Sequence, residues 1–231
     1  MSRASSPKFG KIVGKAPRQP MTPLPANFEK KFFGVLSPSD AAILTDARRK
    51  IVATNFWHFL QQRRPGQALI RVFNPDEAAD GWQRNCSVVE IVHDDMPFLV
   101  DSAMGAINSF GLTVHLVVHP ILRVRRDEGG ALQALAADHE LRQTIPESCT
   151  HIQCDEIRDP LQLKALQSHL QDVFSDVRAA VGDWRTMLQK IDSIITEIDQ
   201  SANLPVPANE SDEVRHFLLW LRDNNYTFLG Y

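Results

Sequence analysis

The sequence predicts an α+β protein with an antiparallel sheet of the ferredoxin-like type and both of its helices on one face. Three observations support this class. The 231 residues are 43% hydrophobic and 23% charged, as in an ordinary soluble domain. Short runs rich in β-branched residues alternate with longer segments of helical periodicity. In chain order these segments follow the pattern β-α-β-β-α, which is most of a β-α-β-β-α-β unit.

The N-terminal region, 1–36, is predicted to be a flexible basic tail. Its first acidic residue is Glu29, and its frequent prolines disfavour a long helix. Two functional interpretations remain open for it: an organelle transit peptide, or a basic arm that docks on an acidic surface. The basic residues before Glu29 are Arg3, Lys8, Lys11, Lys15 and Arg18.

A helical segment is predicted at 37–66. Ser37 is a suitable N-cap because Pro38 would occupy the first helical position and Asp40 would lie in the first turn. Apolar residues at helical spacing then indicate a helix over 38–62.

The sheet is predicted to be permuted. A ferredoxin-like unit needs a closing strand after its second helix, and the sequence shows none there. We expect the strand at 68–73 to take that place, antiparallel to the strand at 86–92, within a domain that spans 67–182. The elements in chain order are strand 68–73, strand 86–92, helix 97–110, strand 112–125, strand 149–154 and helix 160–181.

A long apolar stripe runs through 166–198 in alternating steps of four and three residues. One interpretation is that the stripe packs on the sheet and on neighbouring helices. The other is a self-associating seam, so that the chain forms oligomers. Gly182 is the expected break if the stripe comprises two helices. The seam would include Leu170, Val177, Trp184 and Ile191.

The remaining C-terminal segments have simpler predictions. Residues 183–200 are predicted to be a helical extension, and 201–211 a linker rich in small residues and proline. Residues 212–231 are predicted to be the start of a following module that is cut off, because the chain ends in an apolar strand-like run.

Composition and charge argue against several functional classes. Lys+Arg 25 and Asp+Glu 28 give a net charge of −3, which does not favour a nucleic-acid partner. No apolar run approaches the roughly 18 residues that would span a membrane. Three cysteines are too few for a secreted disulfide scaffold, so we expect a cytoplasmic setting. Neither common phosphate-binding glycine motif occurs, and no cofactor-binding residue is predicted in this chain.

Two histidine groups suggest metal chemistry without meeting its requirements. The triplet His93-Asp94-Asp95 lacks the further converging ligands that a divalent ion needs. His115 and His119 would lie about 13 Å apart along a strand, which is too far to share an ion. No metal site is predicted from either group.

The cysteines are predicted to be buried thiols. Cys149 and His151 would share a strand face that Cys154 does not, which argues against zinc. No base is evident beside an exposed thiolate, so no catalytic residue is predicted in this chain.

The turn at 94–102 suits binding rather than catalysis. A strand leads there into a helix with Pro97 among its first residues, so free backbone N–H groups and the positive end of the helix dipole are exposed. Such a helix end can hold a carboxylate or a phosphate. Alternatively, Asp94 or Asp95 itself caps the helix and occupies those donors.

Two segments around this turn resemble the N-terminal region of the large NAD-dependent glutamate dehydrogenases of bacteria. They are VEIVHDDMPFLVDS at 89–102 and GLTVHLVVHPILRVRR at 111–126. Supporting marks are QQRRPG, VFNP, DVRAAV with a following DW, and the C-terminal NYTFLGY; together they span most of 37–231. The resemblance implies ACT-like regulatory modules ahead of a distant catalytic domain, with the glutamate- and NAD-binding residues outside this chain.

The resemblance also implies a role and partners. The chain would be a regulatory or assembly region of an enzyme that deaminates glutamate to 2-oxoglutarate. Its partners would be the rest of the same polypeptide, other copies in a homo-oligomer and an amino-acid effector. The alternative is a non-catalytic ACT-like module that only oligomerises or only binds an amino acid.

The sequence departs from the ACT pattern at one position of the turn. ACT domains that bind amino acids usually carry glycine after its proline, where this sequence has Phe98, whose ring can fill the ligand space. Gly111, at the next turn, does match the pattern. The residues implied as an effector or intermodule contact are Asp94, Asp95, Pro97, Phe98, Leu99, Asp101 and Ser102.

Overall fold

The computed structural model describes residues 23–136, 143–201, 206–226 and 228. Within these residues the strands form one six-stranded sheet in which every pairing is antiparallel. The strands are β1 Leu69–Phe73, β2 Ser87–Asp94, β3 Val114–Val118, β4 Ile121–Arg126, β5 Leu132–Leu135 and β6 Ile145–Cys154.

The strand order confirms the permuted sheet. The order is β1-β2-β6-β4-β5, and β3 pairs with β6 next to β4. β1 lies antiparallel to β2, with Leu69 opposite Val92 and Phe73 opposite Val88. β1 therefore holds the position of the closing strand that does not follow the second helix, and the α+β class is correct.

Three parts of the sheet differ from the prediction. The strand expected at 112–125 is divided into β3 and β4 because Pro120 has no N–H to donate to a ladder. β5 was not predicted, and it extends the sheet beyond β4. β6 begins at Ile145 rather than at Cys149, so polar residues near its start belong to the sheet.

The helices account for most of the rest of the described chain. A π-helical turn, Leu221–Asn225, continues the last of them. The helices are α1 Phe28–Phe33, α2 Pro38–Ala41, α3 Asp46–Phe59, α4 Glu77–Asp80, α5 Leu99–Ser109, α6 Pro160–Val181, α7 Trp184–Gln200 and α8 Ala208–Trp220.

The N-terminal part is more ordered than the sequence suggested. Within the expected tail 1–36, α1 buries Phe28 and Phe32 completely, so its second part belongs to the core. The helix expected over 38–62 is two helices, because Thr45 accepts a hydrogen bond from the N–H of Arg48 and caps α3. Residues 1–22 lie outside the described part of the chain, and so do 202–205 of the expected linker and most of the expected terminal strand.

The sheet has a helical layer on each face. α5 and α6 cover one face, where Leu99 and Leu166 pack against strand residues such as Ile91. α1 and α3 cover the other, where Phe32 and Phe56 pack against residues such as Val88. The sheet is therefore covered by helices on both faces.

The first half of the long apolar stripe packs on the sheet. Leu166 and Leu170 of α6 are fully buried in the same core as α5, so they are not available for a self-associating seam. The helix breaks where Gly182 and Asp183 stand between α6 and α7, as expected. α7 packs against α8, and ion pairs from Arg215 to Asp199 and from Arg222 to Asp192 join the two helices.

Two leucines of α6 provide a matched test of this packing. Leu170→Ala should lower the free energy of unfolding by about 2–5 kcal/mol, because it leaves a cavity under the sheet. Leu161→Ala, on the same helix, should change it by less than about 0.5 kcal/mol, since Leu161 is 72% exposed. Urea unfolding followed by circular dichroism measures both. Equal losses in the two variants would contradict the packing described.

Candidate functional site

The predicted turn lies where β2 ends and α5 begins, and the structure brings its residues together there. Leu99 is buried beneath α5, Phe98 is 37% exposed, and Asp101 lies exposed in the first helical turn. Asp95 donates its backbone N–H to the carbonyl of Pro146 at the start of β6. Pro97 lies before the first helical residue, and Ser102 donates its backbone N–H to the carbonyl of Phe98.

The expected aspartate cap is wrong. The N-cap of α5 is Phe98, whose side chain makes no capping hydrogen bond. Phe98 has a φ of 69°, a left-handed conformation that glycine adopts without cost and other residues adopt at about 1–2 kcal/mol. Pro97 is therefore outside the helix rather than in its first turn. Within the described part of the chain, no side chain accepts a hydrogen bond from the N–H groups at the start of α5.

Asp94 is instead part of a buried ion network. Its Oδ1 accepts a hydrogen bond from Arg63 Nη2 at 2.7 Å, and its Oδ2 accepts one from the backbone N–H of Gly66 at 2.7 Å. Burial alone would raise the pKa of Asp94, but the bonds from Arg63 and Gly66 outweigh it and hold the pKa below its ordinary value. The carboxylate thus ties the end of β2 to the segment after α3.

Glu147 of β6 is the centre of the same network. Its Oε1 accepts from Arg63 Nε at 2.9 Å and from Arg126 Nε at 2.7 Å, and its Oε2 accepts from Arg126 Nη2 at 2.8 Å. The side chains of Arg63, Arg126 and Glu147 are 1%, 2% and 0% exposed.

The remaining guanidinium donors of the network bond to backbone carbonyls. Arg63 Nη1 donates to Gln67 at 3.1 Å, and Arg126 donates to Leu60 at 2.9 Å and to Gly130 at 3.0 Å. This saturation matters because a buried charge is tolerated only when it is paired and hydrogen-bonded. The network joins the ends of β2, β4 and β6 to the segment that follows α3.

His93 and Arg178 form a second polar contact beside the turn. His93 is fully buried; its Nε2 accepts from Arg178 Nη2 at 3.1 Å, so its Nδ1 carries the proton and donates to the carbonyl of Asp94 at 2.9 Å. Arg178 Nε is buried, and no hydrogen-bond partner for it lies in the described part of the chain. The same guanidinium lies over Gly66, where a Cβ would be 3.7 Å from Nη1.

The neutral form of His93 is favoured by its surroundings. Burial lowers its pKa; the carbonyl and charge of Asp94 oppose this effect, and the charges of Arg178 and Arg63 reinforce it. Protonation would also place an Nε2–H against the N–H groups of Arg178. The contact between β2 and α6 therefore depends on an uncharged imidazole.

A separate row of hydrogen-bonded polar side chains crosses the face of the sheet opposite to His93. His151 Nδ1 donates to Glu90 Oε1 at 2.9 Å, and Arg71 Nε donates to Glu90 Oε2 at 2.6 Å. Gln153 bonds to His151 Nε2 at 3.2 Å and accepts from Arg84 at 3.1 Å. Its buried members are satisfied, which is the arrangement of a structural network rather than of a reactive group.

The groups weighed for metal and thiol chemistry lie apart. In the described ranges, no cluster of three or more His, Cys, Asp or Glu residues could hold a metal ion. Cys86, Cys149 and Cys154 are buried free thiols, as expected, and burial raises the pKa of Cys154 to about 12. His115 pairs with Asp155, and His119 bonds to Ser148, so these two histidines have different partners.

Sequence reasoning missed the residues that organise this end of the sheet. Arg63 enters the sequence analysis only as part of QQRRPG, and Glu147 precedes the predicted start of its strand. Arg126 and Arg178 were not assigned a role. One available signal was the presence of ionisable residues such as Glu90 in otherwise apolar strands, since such residues are buried only when they are paired.

No helix in the described residues is both long and apolar enough to cross a membrane.

Comparison with known proteins gives concordant matches. Residues 28–170 match the profile of the family described as glutamate dehydrogenase, ACT1 domain. An NAD-specific glutamate dehydrogenase of Halomonas elongata is 36% identical over 176 residues, which are 76% of this chain and 11% of that protein. One of Pseudomonas aeruginosa is 34% identical over 208 residues, which are 88% of this chain and 13% of that protein. The chain thus spans about an eighth or less of the relatives it matches.

The buried network predicts that one substitution of nearly unchanged side-chain shape strongly lowers stability. Glu147→Gln should lower the free energy of unfolding by about 3–5 kcal/mol, because an amide N–H₂ would face two buried guanidinium groups that no longer have their central charge. Glu128→Gln, at an exposed position, is the matched control and should change it by less than about 0.5 kcal/mol. Chemical denaturation at neutral pH measures both, and a small loss in Glu147→Gln would refute the role of the network.

The His93–Arg178 contact predicts a pH dependence. The pKa of His93 is lower in the folded than in the unfolded chain, so stability is complete above about pH 6.5 and is lost as pH falls towards the folded pKa. His93→Gln keeps a donor and an acceptor but does not titrate, so its stability should fall less between about pH 7.5 and about pH 5.5 than that of the unmodified chain.

The control for this test is His58→Gln, at an exposed position, which should follow the unmodified chain. His119, whose pKa burial also lowers, titrates in all three proteins and therefore cancels in the comparison. Parallel pH profiles for the unmodified chain and His93→Gln would show that His93 does not titrate on unfolding.

Proposed function

Because the chain belongs to the glutamate dehydrogenase ACT1 domain family, we propose that it is the N-terminal regulatory and assembly region of an NAD-dependent glutamate dehydrogenase. The complete enzyme would oxidatively deaminate L-glutamate to 2-oxoglutarate with NAD. The catalytic domain and the NAD-binding residues would lie outside this chain. The activity and cofactor follow from the names of the two relatives, of which this chain matches 11% and 13%.

The observation that carries the regulatory role is the open start of α5. Phe98 is left-handed and partly exposed, and among the described residues no side chain bonds to the N–H groups behind it. These donors and the positive end of the helix dipole favour an anionic group. Arg178 is half-buried in the contact beside this turn; its buried Nε has no hydrogen-bond partner in the described ranges, so it adds a cation to the same end of the sheet.

The ligand that fits this turn is an amino acid. Its carboxylate would accept hydrogen bonds from the backbone N–H groups near Phe98 and Leu99. Its ammonium would bond to Asp95, because Asp94 is committed to Arg63 and Gly66.

The assembly role is supported by the edge of the sheet. β3 pairs with β6 on one side and has no strand on its other side in the described part of the chain. An open edge of this kind can pair with an equivalent strand, which supports a homo-oligomer in addition to contacts with the rest of the same polypeptide. We further propose a cytoplasmic location, consistent with three buried free cysteines.

A titration separates this proposal from a module that only oligomerises. The isotope-labelled chain is titrated with a panel of amino acids, and amide shifts are followed by NMR. The regulatory proposal expects one or more amino acids to shift signals at 94–102, and Asp95→Asn to weaken the response. Asp172→Asn, at an exposed position of α6, is the control. No response at the turn from any amino acid would leave only the assembly role.

Phe98 gives a second test of the turn. Phe98→Gly and Phe98→Ala both remove the exposed ring, but only glycine also removes the cost of the left-handed backbone. Phe98→Gly should therefore be more stable than Phe98→Ala by about 1 kcal/mol. Both variants should bind the effector more tightly than the unmodified chain if the ring narrows the site. Chemical denaturation and calorimetric titration measure these effects; equal stabilities would contradict the left-handed conformation.

A further inference from the structure

The outer side of α8 is an exposed apolar surface. Val214, Phe217 and Trp220 are 50%, 56% and 50% exposed, and the rings of Phe217 and Trp220 stack with centroids 6.1 Å apart. Aromatic side chains exposed to this degree next to one another are typical of a surface that another segment covers. We call these three residues and the acidic residues around them the α8 face.

The acidic rim of the α8 face makes no ion pair with the described residues. Four acidic residues of α8 and the following turn are exposed, and the ion pairs of this region join other carboxylates. Arg215 and Arg222, both partly exposed, pair with carboxylates of α7. The face therefore offers apolar contact within a negative field, and its occupant must be apolar and basic. The four residues are Glu210, Asp212, Glu213 and Asp223.

We propose that residues 1–22 of the same chain dock on the α8 face. This segment contains five basic residues and no acidic residue. Its apolar residues Phe9, Ile12 and Val13 stand among three lysines, so the apolar and basic chemistry that the face requires occurs together within a few residues. A lysine or arginine over Trp220 would add a cation–π contact. The lysines are Lys8, Lys11 and Lys15.

The tether makes such docking feasible without strong contacts. Twenty-two residues can span about 70 Å when extended, which exceeds the diameter of about 45 Å expected for a domain of this size. A tethered segment faces its site at an effective concentration in the millimolar range, so modest ion pairs and apolar burial suffice. Because the charged contacts are exposed, the docking weakens with salt.

Hydrogen exchange measured by mass spectrometry on the full chain tests the proposal. Changing the three lysines of the segment to glutamate should speed amide exchange in α8 several-fold, as should about 0.5 M salt. Reversing the charges on the α8 face as well, by changing Glu210, Asp212 and Glu213 to lysine, should restore slow amide exchange. Lys50→Glu, at an exposed position of α3, is the control and should leave α8 unchanged.

Carbodiimide cross-linking of the unmodified chain identifies the occupant, because it joins only amines and carboxylates in contact. The expected product links a lysine of residues 8–15 to an acidic residue of the α8 face of the same chain, and it forms at every protein concentration. The proposal would be overturned if amide exchange in α8 were unchanged in the variant with the three lysines replaced. It would also be overturned if reversing the charges on the α8 face failed to restore slow amide exchange. Cross-links that appear only between two chains would overturn it in favour of a second copy.

Discussion

The buried carboxylate of Glu147 is the constraint on which this end of the molecule depends. Arg63 and Arg126 are taken out of water beside it, and their charges are tolerable only because Glu147 and Asp94 face them and backbone carbonyls accept their remaining protons. Few arrangements of these chain segments in space satisfy all these hydrogen bonds together. The network therefore ties the last residues of β2 and β4 and the start of β6 to the segment after α3.

The turn after β2 shows how this constraint bears on the candidate site. Both oxygens of Asp94 are bonded, one to Arg63 and the other to the backbone N–H of Gly66. Among the described residues no side chain caps α5, which begins after a phenylalanine in a left-handed conformation. Asp94 thus stabilises this end of the sheet, and the first N–H groups of the helix lie beside it.

The chain divides into parts with different physical roles. The sheet with its two helical layers contains the buried aromatic and aliphatic core and both polar networks. α7 and α8 lie after the break at Gly182, and α8 is held to α7 by two partly exposed ion pairs. Such pairs contribute little stability, about 0–1 kcal/mol each. The helices α7 and α8 therefore present an exposed surface, whereas the sheet provides the scaffold.

Local patterns in the sequence are sufficient for the α+β class, the pairing of β1 with β2 and most elements. Alternation, proline and glycine positions and helical spacing are local signals, and the missing closing strand left β1 one place to pair. The division at Pro120 and the break at Gly182 were local signals as well. The pairing of β5 with β4 was not among these signals.

Only the tertiary structure decided which charges meet there. Arg63 and Glu147 are 84 residues apart, and Arg63 and Asp94 are 31 apart, so no local pattern relates them. Asp94 pairs with Arg63 and does not cap α5, although the local sequence of the turn favours an aspartate cap. A buried guanidinium needs a charged partner from whichever segment the fold brings to it, so these pairings are set by the packing of distant segments and not by neighbours in the sequence.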